Sequence, residues 1–207
     1  MKVALFGATG RVGNGILTLL LEQGIEVTAL VRNVDNLQPH LNLTVLQGDA
    51  RVANDVEKVI READVVISAL GTDKTTVLTE SISHMISIMS KNGIDRILTI
   101  GTGGILTSRV EPELLRYQSS ESKRKSSVAA MEHHKVYNRL KESSLKWTII
   151  CPTYLPTGDA TNAYIIERDT LPLGAVQTTT GDTALFTVHE LLKNEHIGYR
   201  VGVMSPL

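Results

Sequence analysis

The chain has 207 residues, of which 42% are hydrophobic and 21% are charged. This length and composition predict one globular domain and exclude a disordered or fibrous protein. Lysine and arginine number 21 against 22 acidic residues, so the net charge of −1 provides no overall field to hold a nucleic acid or an anionic membrane.

The sequence predicts neither a membrane span nor an export signal. Its longest stretch without a charged residue, residues 36–48, is well short of the ~20 apolar residues that cross a bilayer. Gly7, Gly10 and Gly13 interrupt the apolar start of the chain, which excludes a continuous signal-peptide core. We therefore expect a cytoplasmic protein, either a monomer or a weak homodimer. The single cysteine, Cys151, lies in an apolar run and is expected to be a small buried side chain.

The first third of the chain alternates apolar runs with amphipathic ones. Four runs rich in β-branched residues predict strands: Lys2–Phe6, Glu26–Val31, Leu43–Gln47 and residues 64–70. Apolar residues at helical spacing predict two helices between them: residues 15–21 and residues 54–63. The last of these strands is almost continuously apolar, which is typical of a parallel sheet covered on both faces.

The same alternation continues to the end of the chain. It predicts helices at residues 76–92, 127–144 and 180–193, the last capped by Thr180-Gly181-Asp182, and strands at residues 96–101, 147–151 and 199–203. Pro152 is expected to stop the strand that precedes it. Strands alternating with helices imply an α/β fold, a single doubly wound parallel sheet in which residues 153–207 form a small C-terminal cap on the substrate side.

One connection is unusually long for a compact domain. Residues 103–126 join a strand to a helix without an obvious element of their own, beyond the ~12–15 residues that structureless loops normally reach. Two interpretations stay open for it, a lid over a substrate or a mobile surface excursion. The basic triplet at its end, residues 123–125, is expected to be the solvated start of the next helix rather than an anion site.

A glycine-rich turn, Gly7-Ala-Thr9-Gly10-Arg11-Val12-Gly13, lies directly between the first strand and the first helix. A pyrophosphate must approach bare backbone N–H groups at the positive end of a helix, and a Cβ would block that approach. The first glycine permits the tight turn, the second the close approach, and the third the packing of helix against strand. The turn and its context therefore predict a dinucleotide site formed by Gly7, Thr9, Gly10, Arg11, Val12 and Gly13.

The ends of the following strands predict which dinucleotide is bound. Arg32 follows the second strand, where a carboxylate would favour NADH; a guanidinium matches a 2′-phosphate, so NADPH is the expected cofactor, unless Arg32 is only a solvated charge. Asp49 and Ala50 follow the third strand, where the carboxylate is placed to accept from the adenine amino group. Ala69, Leu70 and Gly71 follow the fourth strand and are expected to line the ribose.

In this order the motifs resemble those of a known family. GATGRVG, VR, GDA, SALGT, SSLKWTIICP and GDTALFTVHELL are similar to motifs of the atypical short-chain dehydrogenase/reductases, the NmrA-like and biliverdin/flavin reductase-like group. The resemblance covers almost the whole chain. It implies that residues 1–207 form one NAD(P)-binding Rossmann domain, in which Pro152 also borders the cofactor.

The resemblance also implies catalytic positions. The family's serine after the fifth strand corresponds to Thr102, which keeps a hydroxyl able to donate to a substrate oxygen. Tyr137 and Lys141 have the spacing of the family's Tyr-x-x-x-Lys pair, but counting back from the end of the helix places that pair at Ala129 and His133 instead. We expect Thr102, His133 and Tyr137 to act near the nicotinamide, unless Tyr137 only packs the helix against the sheet and His133 is solvated.

The functional hypothesis depends on the absence of the family's tyrosine and lysine at positions 129 and 133. Reduction of a simple carbonyl needs a strong acid nearby, whereas a conjugated acceptor mainly needs to be held close to the cofactor. We therefore expect an NADPH-dependent oxidoreductase that uses a flavin, quinone or tetrapyrrole. An NADP(H)-binding sensor without turnover is the alternative, and an epimerase or dehydratase of nucleotide sugars is a third. No metal is expected, because no cluster of ligating residues has suitable spacing.

Overall fold

The computed structural model describes residues 1–73, 76–122 and 125–206. The described chain contains these β-strands: β1 (Lys2–Phe6), β2 (Glu26–Val31), β3 (Leu43–Gln47), β4 (Val65–Ser68), β5 (Arg96–Ile100), β6 (Lys146–Pro152), β7 (Ile165–Arg168) and β8 (Tyr199–Met204). It contains these α-helices: α1 (Arg11–Glu22), α2 (Ala53–Ile60), α3 (Val77–Asn92), α4 (Val128–Glu142) and α5 (Thr180–Lys193).

All of these strands form one sheet in the order β3-β2-β1-β4-β5-β6-β8-β7. Every neighbouring pair is parallel except β7 and β8, which are antiparallel. From β1 the chain moves to one side as far as β3 and then returns to the other side at β4. The gap between β1 and β4 is thus the point where the strand order reverses, which in such sheets is where ligands bind.

The helices cover both faces of the sheet. Side chains of α1 and α5 form one apolar layer with β1 and β2, including Ile16, Leu20 and Val188. Side chains of α2, α3 and α4 form the opposite layer, in which Met85 and Val136 are buried. The prediction of a doubly wound α/β fold is confirmed.

The elements differ from prediction mainly at their ends. Helix α1 begins at Arg11 rather than at residue 15, so the glycine-rich turn leads into it directly. The cap of α5 is Thr179, one residue before the predicted cap, because its hydroxyl accepts from the N–H of Asp182 at 3.0 Å. Strand β6 includes Pro152 as its last residue, opposite Val203 of β8, so it ends one residue later than predicted.

Residues 153–206 contribute more to the sheet than a loose cap would. Strand β8 pairs with β6 inside the sheet, and β7, which the sequence analysis did not predict, is its antiparallel edge. Helix α5 packs closely on α1, where a Cβ on Gly15 would lie 3.0 Å from that of Ala184. Lys123 and Arg124 of the basic triplet lie outside the described residues. None of the described helices is long and apolar enough to span a membrane.

Candidate functional site

The turn after β1 is shaped so that only glycine fits at two positions. Gly7 has a φ of +83°, and a Cβ there would lie 2.5 Å from the carbonyl oxygen of Ala69. At Gly13 a Cβ would lie 2.0 Å from the carbonyl oxygen of Gly7, so the helix could not approach the turn. Gly10 caps α1 without a side-chain hydrogen bond, and the first turn has no acidic residue. The bare, positive end of α1 therefore fits an anionic group.

A first cleft lies in front of this turn, at the carboxyl ends of β1 to β4, with a volume of about 190 Å³. It brings together most of the residues that the sequence analysis assigned to the cofactor: Gly7, Thr9, Gly10, Arg32, Asp49, Ala50, Ala69, Leu70 and Gly71. These residues come from the ends of four neighbouring strands, which is where ligands bind in sheets of this type.

The described charged residues that line the first cleft are two arginines, Arg32 and Arg51, and two carboxylates, Asp49 and Asp73. Arg51 donates from Nη2 to Oδ2 of Asp49 at 2.7 Å, and its backbone N–H donates to Oδ1 of the same carboxylate at 2.9 Å. These bonds hold the pKa of Asp49 below its usual value, and the charge of Arg32 adds a smaller effect in the same direction. The Asp49 carboxylate, expected to accept from adenine, accepts here from Arg51. Sequence reasoning missed Arg51, although an arginine two residues after a strand-end carboxylate was a usable signal.

A second cleft, of about 320 Å³, continues from the first along the carboxyl ends of β4, β5 and β6. It brings together most of the remaining predicted residues from four separate elements: Arg11, Val12, Thr102, His133 and Pro152. Gly13 is not part of either lining, because it packs α1 against the turn. Ala129 lines the second cleft as well. Counting back from the end of the helix matches Ala129 and His133 to the family's tyrosine and lysine, so both of these positions face this cleft. Thr102 and His133 are therefore candidates to hold or move a proton, as are the hydroxyls of Thr72 and Thr153 in the same lining.

Tyr137 has a different position from the one predicted. It is not among the described residues that line the three clefts. Its ring packs edge-on against Trp147 at 5.8 Å between centroids, and the Arg200 guanidinium lies 4.5 Å from its centre. Tyr137 thus packs the helix against the sheet, which is the alternative that the sequence analysis left open. It lies one helical turn beyond His133, at a point where α4 no longer faces the carboxyl edge of the sheet. The Tyr137 and Lys141 pair is thus a match in spacing only.

A third cleft, of about 710 Å³, opens beside the second. The long connection after β5 forms one wall through Arg116, Glu121 and Ser122, while residues after β6 and β7 form the other. Two arginines anchor this connection: Arg200 donates to the carbonyl of Ile105 at 2.6 Å, and Arg109 donates from Nε to the carbonyl of Leu171 at 3.0 Å. Its described part therefore occupies the place expected of a lid but is fixed to the rest of the domain.

In the part of the chain that the structure describes, the clefts do not contain a metal-binding cluster. There, no group of three or more His, Cys, Asp or Glu side chains is arranged to hold a metal ion.

Comparisons with known proteins agree with this geometry. A family model described as NAD(P)H-binding matches residues 7–195. The uncharacterised protein YwnB of Bacillus subtilis is 26% identical over 213 residues, covering 99% of both chains. A proposed NADH-flavin reductase from Streptococcus pneumoniae is similar in structure, with a TM-score of 0.84, 22% identity and 100% of both chains covered.

A short-chain dehydrogenase/reductase of Veillonella parvula, whose structure contains NADP, is a further relative in fold. Its TM-score is 0.81 at 18% identity, over 99% of this chain and 94% of that one. At such identities the solved structures establish the fold, whereas the family model covers most of the sequence itself. The chain belongs to the NAD(P)H-binding family, and it shares its fold with a short-chain dehydrogenase/reductase, in keeping with the resemblance that its motifs indicate.

Proposed function

We propose that this protein is an NADPH-dependent oxidoreductase that passes hydride to a conjugated acceptor of the flavin, quinone or tetrapyrrole type. One observation carries the proposal: the three clefts form a single groove. Gly10 and Leu70 line both the first and the second cleft, and Thr102 and Leu155 line both the second and the third. A dinucleotide in the first two clefts would thus present its reacting end to a ligand in the third.

The residues of the first two clefts fit a nicotinamide dinucleotide. The turn at Gly7 and Gly13 leaves no room for a Cβ, and the N-terminus of α1 is uncapped by side chains. Backbone amides of this turn would hold the pyrophosphate, and Thr102 and His133 would border the nicotinamide. The bound cofactor supplies the hydride, and the protein supplies position and electrostatics.

Charge in the first cleft favours NADPH over NADH. Arg32 and Arg51 line the end of the cleft where β2 and β3 finish, together with Asp49, and a second carboxylate, Asp73, lines the cleft after β4. Because the Asp49 charge is compensated by Arg51, it repels a phosphate less than a free carboxylate would. The similar short-chain dehydrogenase/reductase of Veillonella parvula binds NADP, which supports the same preference.

The side chains of the second cleft favour a conjugated acceptor. Positions 129 and 133, where the family's tyrosine and lysine are expected, hold Ala129 and His133. A simple carbonyl would lack the strong acid that its developing alkoxide needs. A conjugated acceptor spreads the incoming charge itself, so holding it against the cofactor is the main requirement. The oxidoreductases among the structural relatives are in keeping with this choice.

Turnover of NADPH with FMN and with 1,4-naphthoquinone tests the proposal. We expect acceptor-dependent loss of absorbance at 340 nm above the rate without protein, and a lower rate in Thr102→Ala and His133→Ala. His40→Ala, which removes an exposed histidine that lines none of the three clefts, is the matched control and should keep the wild-type rate. Tight NADPH binding with no turnover on a broad acceptor panel would instead support an NADP(H) sensor.

A further inference from the structure

We infer that Arg11 couples cofactor binding to the acceptor site, because it holds the wall formed by Leu155 and holds it most firmly when a cofactor phosphate is bound at the glycine-rich turn. The inference rests on the proposed function and adds to it a positioning residue. It is carried by one hydrogen bond, in which Nη1 of Arg11 donates to the carbonyl oxygen of Leu155 at 2.9 Å.

This bond joins two distant parts of the chain. Arg11 is the first residue of α1 and belongs to the glycine-rich turn, whereas Leu155 follows β6, 144 residues later. Arg11 lines the second cleft, and Leu155 lines both the second and the third. Among the described residues, it is the only hydrogen bond between residues 7–13 and residues 153–158. It therefore ties the proposed pyrophosphate site to a wall of the proposed acceptor site.

The wall is anchored independently on its other side. The N–H of Thr178 donates to the carbonyl of Tyr154 at 2.8 Å, and the N–H of Thr180 donates to the carbonyl of Pro156 at 3.1 Å. These bonds hold the wall to the residues that lead into α5. Loss of the Arg11 side chain would thus loosen the edge of the wall that faces the turn without releasing the wall from the domain, so an Arg11 variant should still fold.

Arg11 also has the charge that a cofactor phosphate would contact. Its side chain is exposed, and the described lining of the second cleft contains no carboxylate that would cancel this charge. A guanidinium has several N–H donors in a fixed fork. Arg11 can therefore bond the Leu155 carbonyl and a phosphate oxygen at the same time, and the bond to the phosphate would be charge-assisted.

A phosphate bound at the turn would fix the Arg11 side chain and, through it, the wall. A long exposed side chain loses rotamer freedom when it is held in one place, so a single bond to a carbonyl holds it weakly. A second bond, to a phosphate, orders the same side chain, and the bond to Leu155 then forms at little further entropic cost. Binding at either site thereby favours binding at the other, and linkage makes the effect equal in both directions.

Hydrogen exchange of the wall tests the inference without any acceptor. Amide exchange in a peptide spanning residues 153–158 is followed by mass spectrometry with and without NADP⁺, at a concentration that saturates each protein. Wild type is compared with Arg11→Met, which keeps the apolar stem of the side chain and removes its donors, and with Arg11→Lys, which keeps a charged donor. Arg61→Met, which removes an exposed arginine that lines none of the three clefts, is the control.

We expect NADP⁺ to slow exchange of this peptide about fivefold to tenfold in wild type and in Arg61→Met, as an ordinary coupling between two sites does. Arg11→Met should bind NADP⁺ but show less than about twofold protection, and Arg11→Lys should restore part of it. A merely structural Arg11 would change exchange equally with and without NADP⁺. Equal protection in wild type and Arg11→Met, or no protection in wild type, would therefore overturn the inference.

Acceptor affinity provides the reciprocal measurement. Menadione is uncharged, so the charge of Arg11 has no direct partner on it, and NADP⁺ does not reduce it. Wild type should bind menadione about fivefold to tenfold more tightly with saturating NADP⁺ than without it, and Arg11→Met should lose this difference. Equal affinities in wild type, or no binding of menadione, would count against the coupling. If the coupling is found but NADPH reduces no acceptor, only the proposed reductase activity is wrong; if acceptors are reduced and no coupling is found, only the role of Arg11 is wrong.

Discussion

A methyl group has different consequences at different glycines near the proposed cofactor site. At Gly13 it would lie 2.0 Å from the carbonyl oxygen of Gly7, whereas at Gly71 nothing lies within 4 Å. We expect Gly13→Ala to destabilise the protein by about 1–3 kcal/mol, as overpacking does, and to lose NADPH binding. Gly71→Ala should change the free energy of unfolding by less than about 0.5 kcal/mol. Urea unfolding and calorimetry measure both, and wild-type NADPH affinity in Gly13→Ala would contradict the anion-binding role of the turn.

Arg32 provides the test of cofactor preference. If its guanidinium binds the 2′-phosphate, Arg32→Ala should weaken NADPH binding by about tenfold to a hundredfold and hardly change NADH binding, since NADH lacks that phosphate. Intrinsic fluorescence or calorimetry with each nucleotide gives the two affinities. Equal losses for both nucleotides would refute the assigned role.

Arg51 has a separate role that a double variant isolates. Its ion pair with Asp49 compensates the carboxylate, so Arg51→Ala should leave Asp49 free to repel the 2′-phosphate and to attract Arg32. We expect NADPH affinity to fall by about tenfold in Arg51→Ala, and to recover in part when Asp49→Asn is added. If Asp49→Asn brings no recovery, Arg51 acts on the nucleotide directly and not through Asp49.

At this scale, the sequence reveals residues whose role depends on their immediate neighbours. The glycine-rich turn and Arg32 are recognisable because the strand, turn and helix around them are local. Arg116 is not recognisable as part of a cleft, since that cleft forms only where the long connection folds against residues that are distant in sequence. Tyr137 shows that a local pattern can also mislead. Its spacing to Lys141 matches the family's motif, but helix α4 places its ring against Trp147.

Among the elements, α5 is joined to the sheet by a buried polar network. Glu190 accepts from Nη2 of Arg96 at 2.9 Å and contacts Nδ1 of His196 at 2.8 Å, and all three residues are less than 10% exposed. Removing one partner leaves a buried charge without compensation. We expect Glu190→Ala to lower the free energy of unfolding by about 3–5 kcal/mol in urea denaturation.

An exposed ion pair beside this network is the control. Lys146 lies 2.7 Å from Asp95 at the start of β6, with more than half of each side chain exposed. Solvent screens such a pair, so Lys146→Ala should cost less than about 1 kcal/mol. Losses of similar size in the two variants would show that the buried network does not stabilise α5.

Most elements were predictable because their signal is periodic and local, and the exceptions are instructive. The bounds of β1, β2 and β3 agree with prediction, as their apolar patterns end at glycine or at polar residues. Strand β7 was not predicted: it is four residues long, pairs on one side only and is partly exposed, so it lacks an apolar pattern. The anchoring of the long connection by Arg109 and Arg200 depends on contacts between distant residues, which no local pattern records.

For the whole molecule, one sheet edge organises the site. The carboxyl ends of parallel strands meet at that edge, so residues far apart in sequence, such as Arg32, Thr102 and Pro152, line one groove. The alternation of strands and helices was enough to predict this edge. It was not enough to predict the third cleft, whose walls come from connections rather than from strand ends.

The single cysteine reports on the stability of this arrangement. Cys151 lies on β6 in the middle of the sheet, where it is fully buried, and burial raises the pKa of its thiol to about 12. A thiol that is both inaccessible and protonated does not react, so labelling at pH 8 requires the sheet to open. We expect slow reaction with Ellman's reagent in the native protein and immediate reaction in concentrated urea.

Cofactor binding should slow that labelling by a calculable amount. A ligand that binds only the folded chain stabilises it in proportion to ln(1 + [L]/Kd). NADPH at a hundred times its Kd should therefore slow labelling about a hundredfold. This relation holds when the sheet recloses faster than the reagent reacts. The rate is followed at 412 nm over a series of NADPH concentrations, with Gly13→Ala as the variant expected to show no protection. Cys151 is fully buried and lines none of the three clefts, so protection that follows the binding curve would reflect stabilisation of the whole domain. Labelling that is fast, or indifferent to NADPH, would contradict either the burial of the thiol or the binding itself.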